Sequence, residues 1–363
     1  MNVAVIEFNE FHDEVLPSVV HALNGLDVRP DVYLPARAAR QGAFDLARDL
    51  QYRLELIGGS SRWRRAISRI RGTPARHRRY DALILNSSEP PDVLEAASRI
   101  HLPTIALVHN GDRLHGGPYA AFFADPARQP AFLGRHVAAS VGRADGHDWI
   151  APFYLGDPVA IRSIDPDPDP AGRITLCVQG NVEYVRRDYT SLLAAVETLA
   201  GERSDFRVRI VGRSHWRDGR DLRAQVEARG LADRFSFSAR DIAHPDYIRL
   251  VATSDLILPL VDPGVSRLAP YFTVKITSSM SMSIGLGVIP VTETSLARLY
   301  GVEEAAVTHG PGRLLDGLRA ALDLDPAERA VRVAALDRVR AEALATSVTD
   351  LAAAFERLGV PIR

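Results

Sequence analysis

Residues Tyr271 to Val291 read YFTVKITSSMSMSIGLGVIPV, and this stretch predicts a helix that begins just after a cation. Lys275 is the only lysine in the chain, so the Lys+Arg total of 44 contains 43 arginines. An ammonium is a compact point charge, whereas a guanidinium is a planar fork. The single lysine therefore favours a binding site that accepts an ammonium group and that a guanidinium group does not fit.

Three hydroxyl residues follow this lysine and are suited to capping the helix: Thr277, Ser278 and Ser279. Backbone N–H groups at a helix start bind anions, and hydroxyls there add donors. No acidic residue occurs between Asp262 and Glu293, which leaves the region locally positive. We expect a phosphate site here, followed by an apolar strand at 288–291. An ordinary buried helix with a serine cap and a snorkelling lysine is the alternative reading.

The length of the chain predicts two domains. At 363 residues it exceeds one typical hydrophobic core, and with 46% hydrophobic and 25% charged residues it has a globular composition. The net charge of −1 gives no general attraction to nucleic acid. The run DPDPDPAG predicts a linker at 165–172, because three prolines keep it extended. We therefore expect an N-terminal domain at 1–164, a second domain at 173–345 and a C-terminal helix at 346–363 that packs back on the first.

Several features indicate a cytoplasmic protein. Cys177 is the only cysteine, so no internal disulfide can form, as is usual in a reducing compartment. The sequence MNVAVIEF begins without a basic segment followed by a long apolar run, so no signal peptide is visible. No uninterrupted apolar run approaches about 18 residues, which argues against a membrane-spanning helix.

The first half of the chain alternates apolar strands with helical patterns, as a parallel doubly wound sheet requires. The pattern predicts a strand at 3–8, a helix at 15–26, and further strands at 32–34, 82–85, 104–108 and around 136–140.

Polar residues follow several of these strands, where an open α/β sheet binds its ligands. His12, Asp13 and Glu14 follow the first strand and could supply a general base, or they could simply cap a helix. His109 and Asn110 follow the strand at 104–108, and NSSE at 86–89 follows another. Three such clusters together favour a ligand cleft.

A strongly basic segment, SRWRRAISRIRGTPARHRRY at 61–80, contains eight arginines and no acid. Trp63, Ile67 and Ile70 recur at helical spacing, so the segment can form a helix with one apolar face. Such a helix suits an anionic membrane surface or a pyrophosphate-bearing lipid; a solvated basic helix packed on the domain is the alternative. The arginines expected to meet the membrane are Arg62, Arg64, Arg65, Arg69 and Arg71. The charge is confined to this segment and no nucleic-acid motif accompanies it, so a nucleic-acid partner is not expected.

A second strand and helix series begins after the linker. Strands are predicted at 174–178, 206–211, 235–238 and 255–259, each ending in a glycine, arginine or polar loop. Repetition of this unit predicts a nucleotide-binding sheet.

The order of these motifs resembles that of nucleotide-sugar-dependent glycosyltransferases of the GT-B fold, especially bacterial enzymes of surface polysaccharide synthesis. The similarity is carried by QGNVEYVRRDYTSLLAAV at 179–196, by FRVRIVGRS at 206–214 and by the segment from Asp233 to Asp262. The resemblance implies an α/β protein with two Rossmann-like doubly wound parallel-sheet domains facing a cleft, with a C-terminal helical segment crossing back. It also implies a hexosyltransferase-type enzyme, cytoplasmic or peripheral on the inner face of the membrane.

The same resemblance implies roles for particular residues. His109 would contact the transferred sugar, and Ser238, Arg240 and Asp241 would flank the nucleobase. The residues implied around the donor diphosphate are Gly180, Arg187, Arg213, Lys275, Thr277, Ser278 and Ser279. The partners implied are a nucleoside diphosphate sugar and a saccharide or lipid-linked acceptor. Members of this family generally need no bound metal, and no cofactor is expected.

One departure from the family pattern matters. Many retaining members carry two glutamates in the segment that matches Tyr271 to Val291, and here both are missing. The sequence therefore leaves retention or inversion open; inversion would require a base such as His12, Asp13 or Glu14. A sugar-nucleotide epimerase of the same fold, a non-catalytic nucleotide-sugar binding protein and a Schiff-base cofactor on Lys275 are the alternatives.

Overall fold

The chain folds into two compact units, each built on its own six-stranded parallel sheet. This computed structural model describes residues 1–9, 12–57, 80–89, 91–143, 149–163, 172–238 and 242–362. The first unit comprises Met1–Gly156, Val274–Ile276 and Glu342–Arg363, and the second comprises Asp157–Thr273 and Thr277–Ala341.

Some of the residues singled out above lie outside the described ranges. These are the five arginines of the basic segment, Arg62, Arg64, Arg65, Arg69 and Arg71, and also Arg240, Asp241 and the linker up to residue 171.

The first sheet has the strand order of a Rossmann fold. Its strands are β1 (Val3–Ile6), β2 (Asp31–Pro35), β3 (Arg53–Ile57), β4 (Ala82–Leu85), β5 (Thr104–Val108) and β6 (Arg128–Phe132). All neighbours are parallel in the order β3-β2-β1-β4-β5-β6. The order reverses between β1 and β4, and ligands of such sheets bind beyond the carboxyl ends of the strands at that point.

Helices cover both faces of this sheet. They are α1 (Leu16–Asn24), α2 (Ala36–Ala39), α3 (Pro91–Ser98), α4 (Gly117–Phe123) and α5 (Arg135–Ser140). Val5 packs in one core cluster with Leu16 of α1, and Ile6 packs in the other with Leu94 of α3. Successive strand residues point to opposite faces, so a strand covered on both sides is apolar throughout.

The strand predicted around 136–140 is wrong, because these residues form helix α5. The sixth strand lies earlier, at Arg128–Phe132, and its sequence RQPAF contains a proline and two polar residues. Proline is tolerated there because β6 is the last strand of the sheet and has no second neighbour needing its N–H. The short apolar run at 136–140 is too brief for its period to distinguish a helix from a strand.

The second unit repeats the same topology. Its strands are β7 (Ile174–Gln179), β8 (Phe206–Val211), β9 (Phe235–Phe237), β10 (Leu256–Ile257), β11 (Ile289–Glu293) and β12 (Val307–His309). They are parallel in the order β12-β11-β10-β7-β8-β9. The order in which strands are added reverses between β7 and β10, which places the expected ligand edge at the carboxyl ends of these two strands.

The helices of this unit include the one whose beginning was predicted from Thr277, Ser278 and Ser279. They are α6 (Pro158–Ser163), α7 (Tyr189–Glu202), α8 (Arg217–Ala228), α9 (His244–Ala252), α10 (Ser278–Leu286), α11 (Thr294–Tyr300), α12 (Leu314–Leu322) and the first part of α13 (Pro326–Arg357). Helix α10 is buried on nearly every side, which explains its mixture of small and apolar residues. Among the described helices, none has the length and hydropathy needed to cross a membrane.

Helix α13 contributes to both units. Its residues from Glu342 onward belong to the first unit, where Leu351 and Phe355 lie in the same core cluster as Val5 and Leu16. The hydroxyl of Ser347 accepts a hydrogen bond from the N–H of Ala151 at 2.8 Å. The end of the chain therefore completes one face of the first sheet.

Replacing Phe355 should test this contribution. Its side chain is fully buried, so Phe355→Ala should lower the free energy of unfolding by about 3–5 kcal/mol through lost burial and a residual cavity. Val331→Ala on the same helix is the control, because Val331 is 68% exposed and its truncation should cost below about 0.5 kcal/mol. Equal unfolding midpoints for the two variants in a denaturant titration would contradict this assignment.

Candidate active site

A buried carboxyl group lies at the carboxyl end of β1, where the first sheet reverses. Glu7 directly follows β1 and is fully buried. Its two carboxyl oxygens accept hydrogen bonds from the N–H of Asn9 at 2.6 Å and from Nδ2 of Asn86 at 2.7 Å. Burial raises the pKa of Glu7 to about 7. The two hydrogen bonds act in the opposite direction and lower the pKa, but burial has the larger effect. Asn86 follows β4, so the contact joins the two strands on either side of the reversal.

Two histidines lie against this pair. His109 follows β5, and its Nε2 donates to the main-chain oxygen of Asn86 at 2.8 Å. The rings of His109 and His12 have centroids 4.1 Å apart and are tilted by 40°. Burial, together with the neighbouring His12, lowers the pKa of His109. His109 is therefore neutral, with its proton on Nε2 and a lone pair on Nδ1.

His12 is the more basic of the two. Its backbone is left-handed, with φ at 68°, and its main-chain oxygen accepts from Asn86 Nδ2 at 2.8 Å. Its Nδ1 lies 3.7 Å from Glu14 Oε1, and the side chain is 37% exposed. Burial lowers the pKa of His12, but the carboxylates of Glu14, Glu7 and Glu89 outweigh burial and leave it raised.

Asp13 begins a short 3-10 helix and is buried. Burial, reinforced by the charge of Glu14, raises its pKa to about 7, and its Oδ2 has no hydrogen-bond partner within the described ranges. The structure therefore brings His12, Glu14 and His109 together at one edge, whereas Asp13 faces the interior.

Sequence reasoning missed Glu7 as a site residue. The signal that could have revealed it is an acid directly after the apolar run VAVI, in a position that an open sheet covers on both faces.

In the second unit, two glycines let the ends of β7 and β8 approach closely. Gly180 and Gly212 have φ of 97° and 137°, which favours glycine. A Cβ at Gly212 would collide with the main chain of Gly180, and a Cβ at Gly180 would lie 2.7 Å from Nη2 of Arg187. The main chain thus carries no side chain where it passes the guanidinium of Arg187.

Arg187 is a buried cation, only 6% exposed. Its Nη1 donates to the main-chain oxygen of Asn181 at 3.3 Å, and its Nη2 donates to the hydroxyl of Ser279 at 3.4 Å. Neither its Nε nor the buried hydroxyl of Tyr189 has a hydrogen-bond partner among the described residues. Among the described residues no carboxylate pairs with this guanidinium, and a buried charge is usually paired.

The start of α10 faces the same position. Ser278 and Ser279 both receive hydrogen bonds from the side chain of Gln179, the last residue of β7, at 2.9 Å. Thr277 is the N-cap, and its hydroxyl accepts from the N–H of Ser279 at 3.3 Å. The N–H of Thr277 itself donates to the hydroxyl of Tyr300 at 2.9 Å. Protein groups therefore already use part of the backbone at this helix start.

Two more predicted residues lie at the neighbouring strand ends. The hydroxyl of Ser238 accepts from the N–H of Gly212 at 3.0 Å, which fixes the glycine turn. Arg213 is exposed, and its guanidinium carbon lies 5.5 Å from the ring centroid of Trp216. Arg187 and Arg213 are therefore two cations close in sequence to the glycine turns. The described residues include no cluster of three or more side chains that could ligate a metal ion.

Lys275 belongs to the first unit, whereas Thr277, Ser278 and Ser279 belong to the second. Its main-chain oxygen accepts from Nε2 of His136 at 2.9 Å, and it forms an isolated antiparallel bridge with Asn110. These contacts fix the backbone of Lys275 next to the loop that follows His109.

Two Rossmann-type units and the long C-terminal helix define a GT-B fold. HepE from Anabaena, in complex with UDP and glucose, superposes with a TM-score of 0.65 at 13% identity, covering 98% of this chain and 99% of that one. Sucrose-phosphate synthase from Thermosynechococcus elongatus superposes with a TM-score of 0.61 at 13% identity, covering 97% of this chain and 98% of that one. A Listeria monocytogenes protein provisionally named a UDP-N-acetylglucosamine 2-epimerase superposes with a TM-score of 0.61 at 14% identity, covering 98% of this chain and 96% of that one. No protein-family model matches the sequence, and a search of curated proteins gave no match.

The buried carboxyl group of Glu7 predicts a pH-dependent stability. Because its pKa rises from 4.5 to about 7 on folding, the native state keeps a proton that the unfolded state loses in this window. Stability therefore falls as the pH rises through it, by roughly 3 kcal/mol at most. Glu7→Gln does not titrate, so its melting temperature relative to wild type should increase between pH 5 and pH 8.

The exposed Glu356→Gln serves as the control and should keep a constant difference from wild type over the same pH range. Loss of the contact with Asn86 would change the melting temperature of Glu7→Gln by the same amount at every pH. A difference between Glu7→Gln and wild type that does not change with pH would show that Glu7 is ionised in the native protein throughout.

Proposed function

We propose that this protein is a glycosyltransferase that moves a sugar from a nucleoside diphosphate sugar to a saccharide or lipid-linked acceptor. The observation that carries the proposal is the set of groups around Arg187, which is called the Arg187 pocket below. A buried guanidinium, whose Nε has no acceptor among the described residues, lies against the hydroxyl of Ser279 and the main chain of Gly180, which has no Cβ. Arg187 supplies positive charge and Ser279 supplies a hydroxyl, as a leaving diphosphate requires.

The position of this pocket also supports the proposal. Gly180 follows β7, and the strand order of the second sheet reverses between β7 and β10, which is where sheets of this type bind nucleotides. Structures with the same fold have been determined with UDP and with UDP-glucose. Gly180, Arg187 and Arg213 would hold the diphosphate, and Ser238, Arg240 and Asp241 would lie near the base.

The first unit would then bind the acceptor at its own sheet edge. His109 is neutral, and its fixed Nε2–H leaves Nδ1 to accept a hydrogen bond from a sugar hydroxyl. A transfer that inverts the anomeric centre needs a base, and we propose His12 for this role because Glu14 stabilises its protonated form. Asp13 is less suited, since its carboxyl group faces the interior.

Two other functions remain candidates on specific grounds. The Listeria neighbour favours an epimerase, which would act on the nucleotide sugar alone. The missing glutamates favour a protein that binds nucleotide sugar without turnover. Release of nucleoside diphosphate that depends on acceptor supports only the transferase. A role in surface polysaccharide synthesis, metal independence and membrane attachment through the basic segment stay predictions of the sequence.

A panel of nucleoside diphosphates in a thermal-shift assay tests the donor pocket. A nucleotide at 100 times its dissociation constant should stabilise the native state by about 2.7 kcal/mol. The parent nucleosides are the control and should give smaller shifts, because they lack the phosphates that Arg187 would bind. No shift with UDP, GDP, ADP, CDP or dTDP would contradict the proposed function.

Lys275 provides a second test. If its ammonium contacts the donor diphosphate, Lys275→Ala should lower kcat/KM by roughly 10- to 150-fold, since a charge-assisted hydrogen bond is worth about 1.5–3 kcal/mol. Lys275→Arg should recover less than half of this free energy, because a planar fork replaces a point donor. Arg338→Ala, an exposed surface position, is the matched control. Wild-type kinetics in Lys275→Ala would remove this cation from the proposed site.

A further inference from the structure

Gln179 is buried between one tyrosine and two serines of the second unit. The side chain is 1% exposed and lies at the end of β7, directly before Gly180. Its Nε2 donates to the hydroxyl oxygens of Ser278 and Ser279, both at 2.9 Å. Its Oε1 accepts a hydrogen bond from the hydroxyl of Tyr247. Both ends of the amide are therefore engaged.

This arrangement fixes what the two serines can do. An amide nitrogen only donates, so each serine oxygen acts as an acceptor toward Gln179. Ser279 also accepts from Nη2 of Arg187 at 3.4 Å. Each hydroxyl therefore still has its own hydrogen to donate, and it must donate it away from Gln179.

We propose that Gln179 is a positioning residue that makes Ser278 and Ser279 hydrogen-bond donors to the donor diphosphate. Tyr247 holds the amide in this orientation by occupying Oε1. The inference rests on the proposed function, because it assigns the diphosphate to the Arg187 pocket. It adds a selectivity: the groups facing the ligand are donors, so the pocket binds fully ionised phosphate oxygens and rejects a ligand group that must itself donate.

A separate observation points to an anion at the same place. Arg187 is 6% exposed, and its Nε has no acceptor among the described residues. Part of the helix backbone cannot serve instead, because the N–H groups of Ser279 and Met280 donate to the hydroxyl and the carbonyl of Thr277. The serine hydroxyls and Arg187 thus remain as donors for the ligand.

The opposite amide orientation makes a different prediction. It would place Oε1 against the serines, which would then donate to Gln179 and offer the ligand no hydroxyl hydrogen. The variant Gln179→Glu imposes that arrangement, since a carboxylate accepts at both oxygens. It also adds a charge, so the test must separate hydroxyl orientation from repulsion.

A double-mutant cycle between Gln179→Glu and Ser279→Ala makes this separation. The probe is UDP, with uridine as the ligand that lacks phosphates, and calorimetry gives the ratio of the two affinities. In the wild-type background Ser279→Ala should lower this ratio about 10-fold. In the Gln179→Glu background it should lower the ratio by less than about 2-fold, because the hydroxyl already points away. Repulsion by the new carboxylate is present with and without Ser279→Ala in the Gln179→Glu background, so it cancels when these two affinity ratios are compared.

An equal effect of Ser279→Ala in both backgrounds would overturn the proposal. Where Gln179→Glu fails to fold, Ser278→Ala and Ser279→Ala alone decide, since an unchanged UDP-to-uridine ratio in both would show that neither hydroxyl donates to phosphate. The exposed Gln51→Glu adds the same charge elsewhere and should bind as wild type does. A wild-type protein that binds none of the nucleoside diphosphates would instead contradict the proposed function itself.

Discussion

The close approach of the main chain at Gly180 and Gly212 is the constraint on which the second unit's site depends. The N–H of Gly180 donates to Val211 at 2.7 Å, and the N–H of Val182 donates to Arg213 at 3.0 Å, so the pairing of β7 and β8 continues into their loops. A side chain at either glycine would separate these loops or displace Arg187. Because the loops stay together, the guanidinium lies directly beneath bare backbone. The absence of the two Cβ atoms thus lets the positive charge of Arg187 lie against the main chain.

The two units use the same topology to bury opposite kinds of charge. At the reversal of the first sheet a carboxyl group, Glu7, is buried and holds its proton to near neutral pH. At the reversal of the second sheet a guanidinium, Arg187, is buried beside the main chain of Gly180. The first edge can therefore exchange protons with a ligand, whereas the second can only offer donors and positive charge. Under the proposed function, this difference suits an acceptor that must lose a proton and a diphosphate that must leave as an anion.

Much of the fold could be predicted from local patterns. Apolar runs separated by glycine and polar loops indicated most strands of both sheets and the helix at Ser278–Leu286. Two strands were not anticipated and one was misplaced. Strand β3, RLELI, has charged residues alternating with leucine at the end of its sheet, and β12, VTH, has only three residues. Such segments become strands because a neighbour supplies their hydrogen bonds, which no local pattern reveals.

The sequence by itself determined the Rossmann-like repeats, the glycines at the strand ends and the placement of polar groups after β1, β5 and β7. These are consequences of chain periodicity and of residue types at turns, which act over a few residues. Tertiary structure alone decided the pairings that make the sites. Glu7 meets Asn86 across 79 residues, and Gln179 meets Ser279 across 100 residues. Such contacts depend on which strands become neighbours, and so does the burial that raises the pKa of Glu7 and encloses the guanidinium of Arg187.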